Sequence, residues 1–204
     1  MTLPPMRCED IARHPDFRRL CTIEGIAVDL RYATVHNFVG HNLYDTLDCG
    51  WLHRLAATGL EQAAGLLQRE APGHRLLVLD ALRPHRVQIE LWDFLEGTDL
   101  RQYVADPARG SIHSFGMALD ATLLDAKGRE LDMGTGFDVM TELSHPQLEA
   151  QHLASGALTP TQLRNRELLR GVMGASGFQG ISNEWWHFEM LDRNHVRQTF
   201  LRVD

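Results

Sequence analysis

Residues 117–125, MALDATLLD, constrain this chain more than any other stretch. Met117, Leu119, Ala121 and Leu123 alternate with the rest, so an extended segment here has one apolar face, with Asp120 and Thr122 on the other. Such a strand must bury its apolar face against other elements. Asp120 has Leu119 and Ala121 as neighbours, and a carboxylate in those surroundings needs a partner, because burying it alone is costly. An arginine, a solvated face or a metal ion would each serve.

The flanking sequence supplies helices and further strands. In WLHRLAATGLEQAAGLLQREA, at 51–71, Leu52, Leu55, Ala56, Leu60, Ala63, Ala64 and Leu67 recur at helical spacing, and Pro72-Gly73 ends the run. The continuous apolar run Leu76-Leu77-Val78-Leu79 predicts a buried strand. Arg83-Pro84 ends that strand, and Pro84 opens a helix with Val87, Leu91, Phe94 and Leu95 on one face. Ile26, Val28 and Leu30 alternate within a short strand, while 36–45, 97–114 and 133–140 read as loops. Thr159-Pro160 predicts the N-cap and first residue of another helix, stopped by Gly174 or Gly177. EWWHFEML, at 184–191, predicts the last strand. Strands and helices interleave, so the expected class is α+β, with one mixed or antiparallel sheet and helices packed on it.

With 204 residues, 44% of them hydrophobic, the chain can build one sizeable core. No linker, repeat or low-complexity tract divides it. A single domain over 1–204 is the expectation, with two tightly coupled lobes as the alternative. The formal net charge of −7, with arginines scattered among acids, argues against a nucleic-acid partner. No stretch approaches the roughly 20 apolar residues that span a bilayer, so no membrane partner is expected. Cys8, Cys21 and Cys49 are odd in number and widely spaced, which does not read as a disulfide framework. With no apolar leader in MTLPPMRCEDIARHPDF, the expected location is the cytoplasm. The pattern is silent on oligomeric state.

Two segments carry the chemistry. In SIHSFGMALD, His113 precedes the strand of Asp120 by seven residues, which a straight strand would set on opposite faces. Gly116 permits a bend that re-aims His113 toward the Asp120 side. In NEWWHFEM, Glu184 and His187 are three apart, so Glu184 is expected just before the strand, where the chain can turn it toward His187. Trp185 and Trp186 are expected to wall the site. Two imidazoles and a carboxylate make a three-ligand set for Zn²⁺ with one position left for water, and Glu184 is a carboxylate suited to general-base work. Metal-assisted hydrolysis is the reaction class this suggests. A rival pair, His145 and His152, seven apart on one expected helix, has no evident third ligand. The remaining histidines, His14, His53, His74 and His195 among them, sit in bland polar surroundings.

The patterns S-x-H-x-x-G-x-A-x-D (Ser111 to Asp120) and E-x-W-H (Glu184 to His187) resemble those of D-alanyl-D-alanine dipeptidases of the vancomycin-resistance type. That family lies within a wider zinc peptidase group including D,D-carboxypeptidases and the Hedgehog signalling domain. DLRYATVHNFVG at 29–40, DALRPHR at 80–86 and MGTGFDVM at 133–140 extend the resemblance over most of the chain. It implies one zinc per chain on His113, Asp120 and His187, with Glu184 as general base and then acid. It further implies Arg83 as the oxyanion donor, Asp138 as the partner of the substrate ammonium and Ser111 as a residue holding the dipeptide. The implied substrate is D-Ala-D-Ala, whose removal would serve either glycopeptide resistance or D-alanine recovery. One departure is Phe115, where the family often carries arginine, beside His113 and so bearing on pocket charge and substrate preference. Two other readings use the same centre. One is a D,D-carboxypeptidase or peptidoglycan endopeptidase; the other is a binding module that keeps zinc without catalysis.

Overall fold

The computed structural model describes residues 4–204; residues 1–3, the head of the segment read as lacking a leader, lie outside the described residues. In chain order the elements begin with β1 (Phe17–Arg19), β2 (Ile26–Val28), β3 (Trp51–His53), α1 (Arg54–Glu70), β4 (Arg75–Asp80) and α2 (His85–Phe94). After an irregular stretch come β5 (Ala118–Leu124), α3 (Glu149–Ser155), α4 (Pro160–Ala175), β6 (Phe178–Gly180), β7 (His187–Met190) and α5 (Arg193–Thr199).

A five-stranded sheet in the order β2-β4-β5-β7-β6 forms the centre, parallel only between β2 and β4. The class is α+β with a mixed sheet. β5, the alternating strand, is buried along its whole length because both of its faces are covered. Leu119, Ala121 and Leu123 join the core that contains Leu60, Ala63 and Leu67 of α1 and Leu169, Val172 and Met173 of α4. The opposite face, bearing Asp120, is covered by loops.

Several boundaries differ from the sequence reading, each for a local reason. The helical pattern at 51–71 contains a strand at its start: Trp51–His53 pairs antiparallel with β1 in a small second sheet. His53 Nδ1 then accepts from the Leu55 amide and caps α1. Pro84 is the N-cap of α2 rather than its first residue. Thr159 caps α4 in a reciprocal pair with Gln162, and Pro160 follows at the first helical position. The last strand starts at His187, not Glu184, because Trp185 and Trp186 lie in bends. α5 and the pairing of Met6 with Val203 carry no periodic signature in the sequence and emerge only in the folded chain.

Candidate active site

Sheet register builds the site. Asp120 on β5 pairs directly with His187 on β7, and a register shift between Val78 and Asp80 sets Asp80 on β4 opposite Asp120 on its other side. Three polar side chains thus form a row across adjacent strands. His113 arrives from outside the sheet. It sits in a 3-10 turn, Ile112–Phe115, and Gly116 ends that turn at φ 64°. A side chain at Gly116 would bring its Cβ within 2.7 Å of the His53 amide, so both the left-handed backbone and the close approach require glycine. This is the bend that strand parity demanded between His113 and Asp120.

His113 Nε2, Asp120 Oδ1 and His187 Nδ1 converge. The separations are 3.1 Å between the two nitrogens, 2.9 Å from His187 to Asp120 and 3.5 Å from His113 to Asp120. His113 Nδ1 donates to the Ala81 carbonyl at 2.8 Å, and His187 Nε2 donates to Glu189 Oε1 at 2.9 Å. Each imidazole therefore presents a lone pair to the other and to a carboxylate oxygen. A shared proton or a metal ion at their centre relieves that opposition. Tetrahedral coordination at bond lengths of ~2.0–2.1 Å sets ligand atoms about 3.3 Å apart, so the three donors fit a metal ion. Both outer hydrogen bonds are of the kind that fix imidazole ligands.

The surrounding charges agree. Burial pushes the His187 imidazolium down, but hydrogen bonds to Asp120 and Glu189 outweigh it and carry the pKa up to about 10, so the cluster attracts positive charge: a proton by itself, which a bound metal ion would displace. Burial raises the Asp120 carboxyl, yet His113 and His187 hold it below the usual carboxylate range. Arg83, only 8% exposed, donates from Nε and Nη2 to Asp80 Oδ2 at 2.9 and 2.6 Å and from Nη1 to Gln88 at 3.1 Å. Its Nη2 is 3.6 Å from Asp120, and the guanidinium lies over the Tyr32 ring. Tyr44 donates to the other oxygen of Asp80.

His113, Asp120, His187, Glu189, Arg83 and Tyr32 line one cavity of about 240 Å³ together with Ser111, Asp138, Glu184 and Trp186. Burial pushes the Glu184 carboxyl up to about 7, with the Asp120 charge adding to it and His187 opposing it. Burial lifts Asp138 well above the ordinary carboxylate range, and Asp120 adds to this against the Tyr32 hydroxyl and Arg83. Asp138 holds φ 58°, costly for a non-glycine residue, and its buried Oδ2 has no protein partner among the described residues.

His113, Asp120, His187, Glu184, Arg83, Asp138, Ser111 and Trp186 all lie at this cavity, whereas Trp185 and Phe115 do not. Trp185 turns away to donate to Thr135 Oγ1 at 2.8 Å, which ties the Asp138 loop to the sheet. Phe115 is 5% exposed in the core and is not among the residues lining the cavity, so its side chain contributes nothing to the pocket's charge. His145 precedes α3, against Tyr103, while His152 lies in it, so the rival pair shares no helix face. Glu189, Asp80, Tyr32 and two arginines of α5 were missed. Glu189 was readable: two residues beyond His187 on a strand, it must share that face.

Comparison with known proteins agrees with the geometry. A peptidase family model described as D-ala-D-ala dipeptidase matches residues 17–204. The chain is 41% identical over 165 residues to the D-alanyl-D-alanine dipeptidase of Escherichia coli (strain K12), covering 81% of this chain and 79% of that one. It is 31% identical over 202 residues to the enzyme of that name from Enterococcus faecium, covering 87% and 92%. A third, from Enterococcus faecalis (strain ATCC 700802 / V583), is 30% identical over 189 residues, covering 83% and 88%.

Proposed function

Since the chain belongs to the D-Ala-D-Ala dipeptidase family of peptidases, we propose that it hydrolyses D-Ala-D-Ala to two D-alanines on one zinc ion held by His113, Asp120 and His187. The observation that carries this reading is the convergence of those three donor atoms in a cavity shared with Glu184, Arg83 and Asp138. Two nitrogens and one oxygen are a donor set typical of catalytic zinc.

When bound, zinc polarises the scissile carbonyl and lowers the pKa of water. Glu184 takes the proton from the attacking water and returns it to the leaving amine. A carboxyl near pKa 7 is matched to both transfers at neutral pH. Arg83, already fixed by Asp80 and Gln88, offers its charge to the developing oxyanion without reorganising. Losing such a donor costs about 3–4 kcal/mol of transition-state stabilisation. Asp138 receives the substrate ammonium, which supplies the partner its Oδ2 lacks and favours its ionised form. Ser111, lining the same cavity, helps hold the dipeptide.

We take 1–204 as one dipeptidase domain acting in the cytoplasm, the placement suggested by three cysteines whose number and spacing do not read as a disulfide framework. No helix among the described residues is long and apolar enough to cross a membrane. A cavity of about 240 Å³ lies below the ~300–1,000 Å³ of drug-sized sites and favours a dipeptide over a peptidoglycan stem. Glu184 and Arg83 in that cavity disfavour a non-catalytic zinc module.

A substrate panel tests the reading on zinc-loaded protein: D,D-, L,D- and L,L-dipeptides, an N-blocked D,D-dipeptide and a stem pentapeptide. Rapid turnover is expected only for the free D,D-dipeptide. Comparable pentapeptide cleavage would transfer the assignment to a carboxypeptidase, and no turnover at all would leave a binding module.

A further inference from the structure

We propose that Arg193 and Arg197 receive the C-terminal carboxylate of the dipeptide, an assignment that rests on the dipeptidase reading. A free dipeptide carries opposite charges at its ends. Asp138 offers an anion for one, and the other requires a cation in the same cavity. Three guanidinium groups line it. Arg83, held by Asp80 and Gln88 beside the metal ligands, is assigned to the oxyanion, which leaves Arg193 and Arg197 for the carboxylate.

Their placement suits the task. Val196, fully buried, anchors α5, and the helix packs on the 3-10 turn that carries His113. Arg193 and Arg197 are four residues apart, so they project from the same side of α5, one turn apart. Arg197 is tied by Nε to the Gly110 carbonyl at 3.0 Å, immediately before Ser111. Arg193 is tied by Nε to Glu189, which holds His187. In both, the terminal nitrogens have no protein acceptor among the described residues. A guanidinium held at Nε with free terminal N–H groups is preorganised for a carboxylate. The two charges also oppose each other: after burial, Arg193 is the next largest influence holding Arg197 below its ordinary pKa. An anion between them relieves that repulsion; Glu189, hydrogen-bonded to His187 and Arg193, opposes it at Arg197 only through its more distant charge.

Arg197 is the clean test position, because Arg193 also steadies Glu189. The experiment compares D-Ala-D-Ala with its C-terminal amide, using zinc-loaded wild-type protein and Arg197→Gln, with zinc content and melting temperature checked for both. A charge-assisted hydrogen bond contributes about tenfold to a hundredfold, so wild type should prefer the acid over the amide by at least that factor in kcat/KM. Arg197→Gln should collapse the preference to within a few-fold, and Arg197→Lys should restore part of it. An unchanged acid-to-amide ratio in Arg197→Gln, even with both rates lowered, overturns the assignment. A second readout does not depend on turnover: calorimetric binding of the same two compounds to zinc-loaded Glu184→Gln, with and without Arg197→Gln. If wild type releases no D-alanine, the dipeptidase reading falls, and this comparison alone decides the subsite. Equal affinity for acid and amide in Glu184→Gln contradicts it.

Discussion

A group that must take a proton and then give it back near neutrality needs a pKa close to 7, and burial raises Glu184 there. The sign of the pH dependence follows. In the proposed mechanism Glu184 must be ionised to act as base, so kcat/KM is expected to fall as pH drops through its pKa. A metal cation beside it favours the charged form, so the acid limb is expected at or below about 7, the value without that cation. A limb clearly above it would show that something else controls the proton. Glu184→Gln should lower turnover by about 10²–10⁴-fold with zinc content unchanged. At this scale the sequence told much: the residue types and their spacing pointed to three donors and a base. It was silent on which imidazole nitrogen faces the metal, because Ala81 and Glu189 set that through contacts 32 and two residues away. Asp138 stood out by its glycine-rich loop, whereas the burial that leaves its Oδ2 without a protein partner depends on the folded chain.

Among elements, the bend between His113 and β5 bears the most weight. Strand parity required it, and Gly116 was the residue able to make it. Gly116→Ala must hold a left-handed backbone and meet the His53 amide and the Phe17 ring. A loss of roughly 2 kcal/mol is expected, lowering the melting temperature by roughly 4–8 °C, with weaker zinc affinity because His113 shifts with the turn. A second support was invisible in the sequence. Arg166 of α4, 1% exposed, donates to the carbonyls of Met133 at 2.7 Å and Leu143 at 3.0 Å, bracketing the loop of Asp138. Arg166→Ala orphans both carbonyls, at ~1–3 kcal/mol each. It should raise KM more than it lowers kcat if, as proposed, Asp138 binds the substrate ammonium away from the reacting bond. Equal loss in both would show that the loop supports the chemistry itself.

At the scale of the whole molecule, the sheet is the instrument that turns sequence-distant residues into one site. Asp120 and His187, 67 positions apart, meet because β5 and β7 pair in one register. A slip of one residue would send one of them into the opposite face. The α+β class followed from periodicity alone. Strand order, the small β1–β3 sheet and α5 did not, because pairing partners and short amphipathic turns leave too little local pattern. The overall claim is that this fold exists to present three donors to one metal ion beside a base. Zinc titration of chelator-treated protein, read as D-alanine released from D-Ala-D-Ala, tests it most directly. Activity should be negligible at the start, rise linearly and break at one zinc per chain. Full activity before any zinc is added, or none with one zinc bound, would contradict the account.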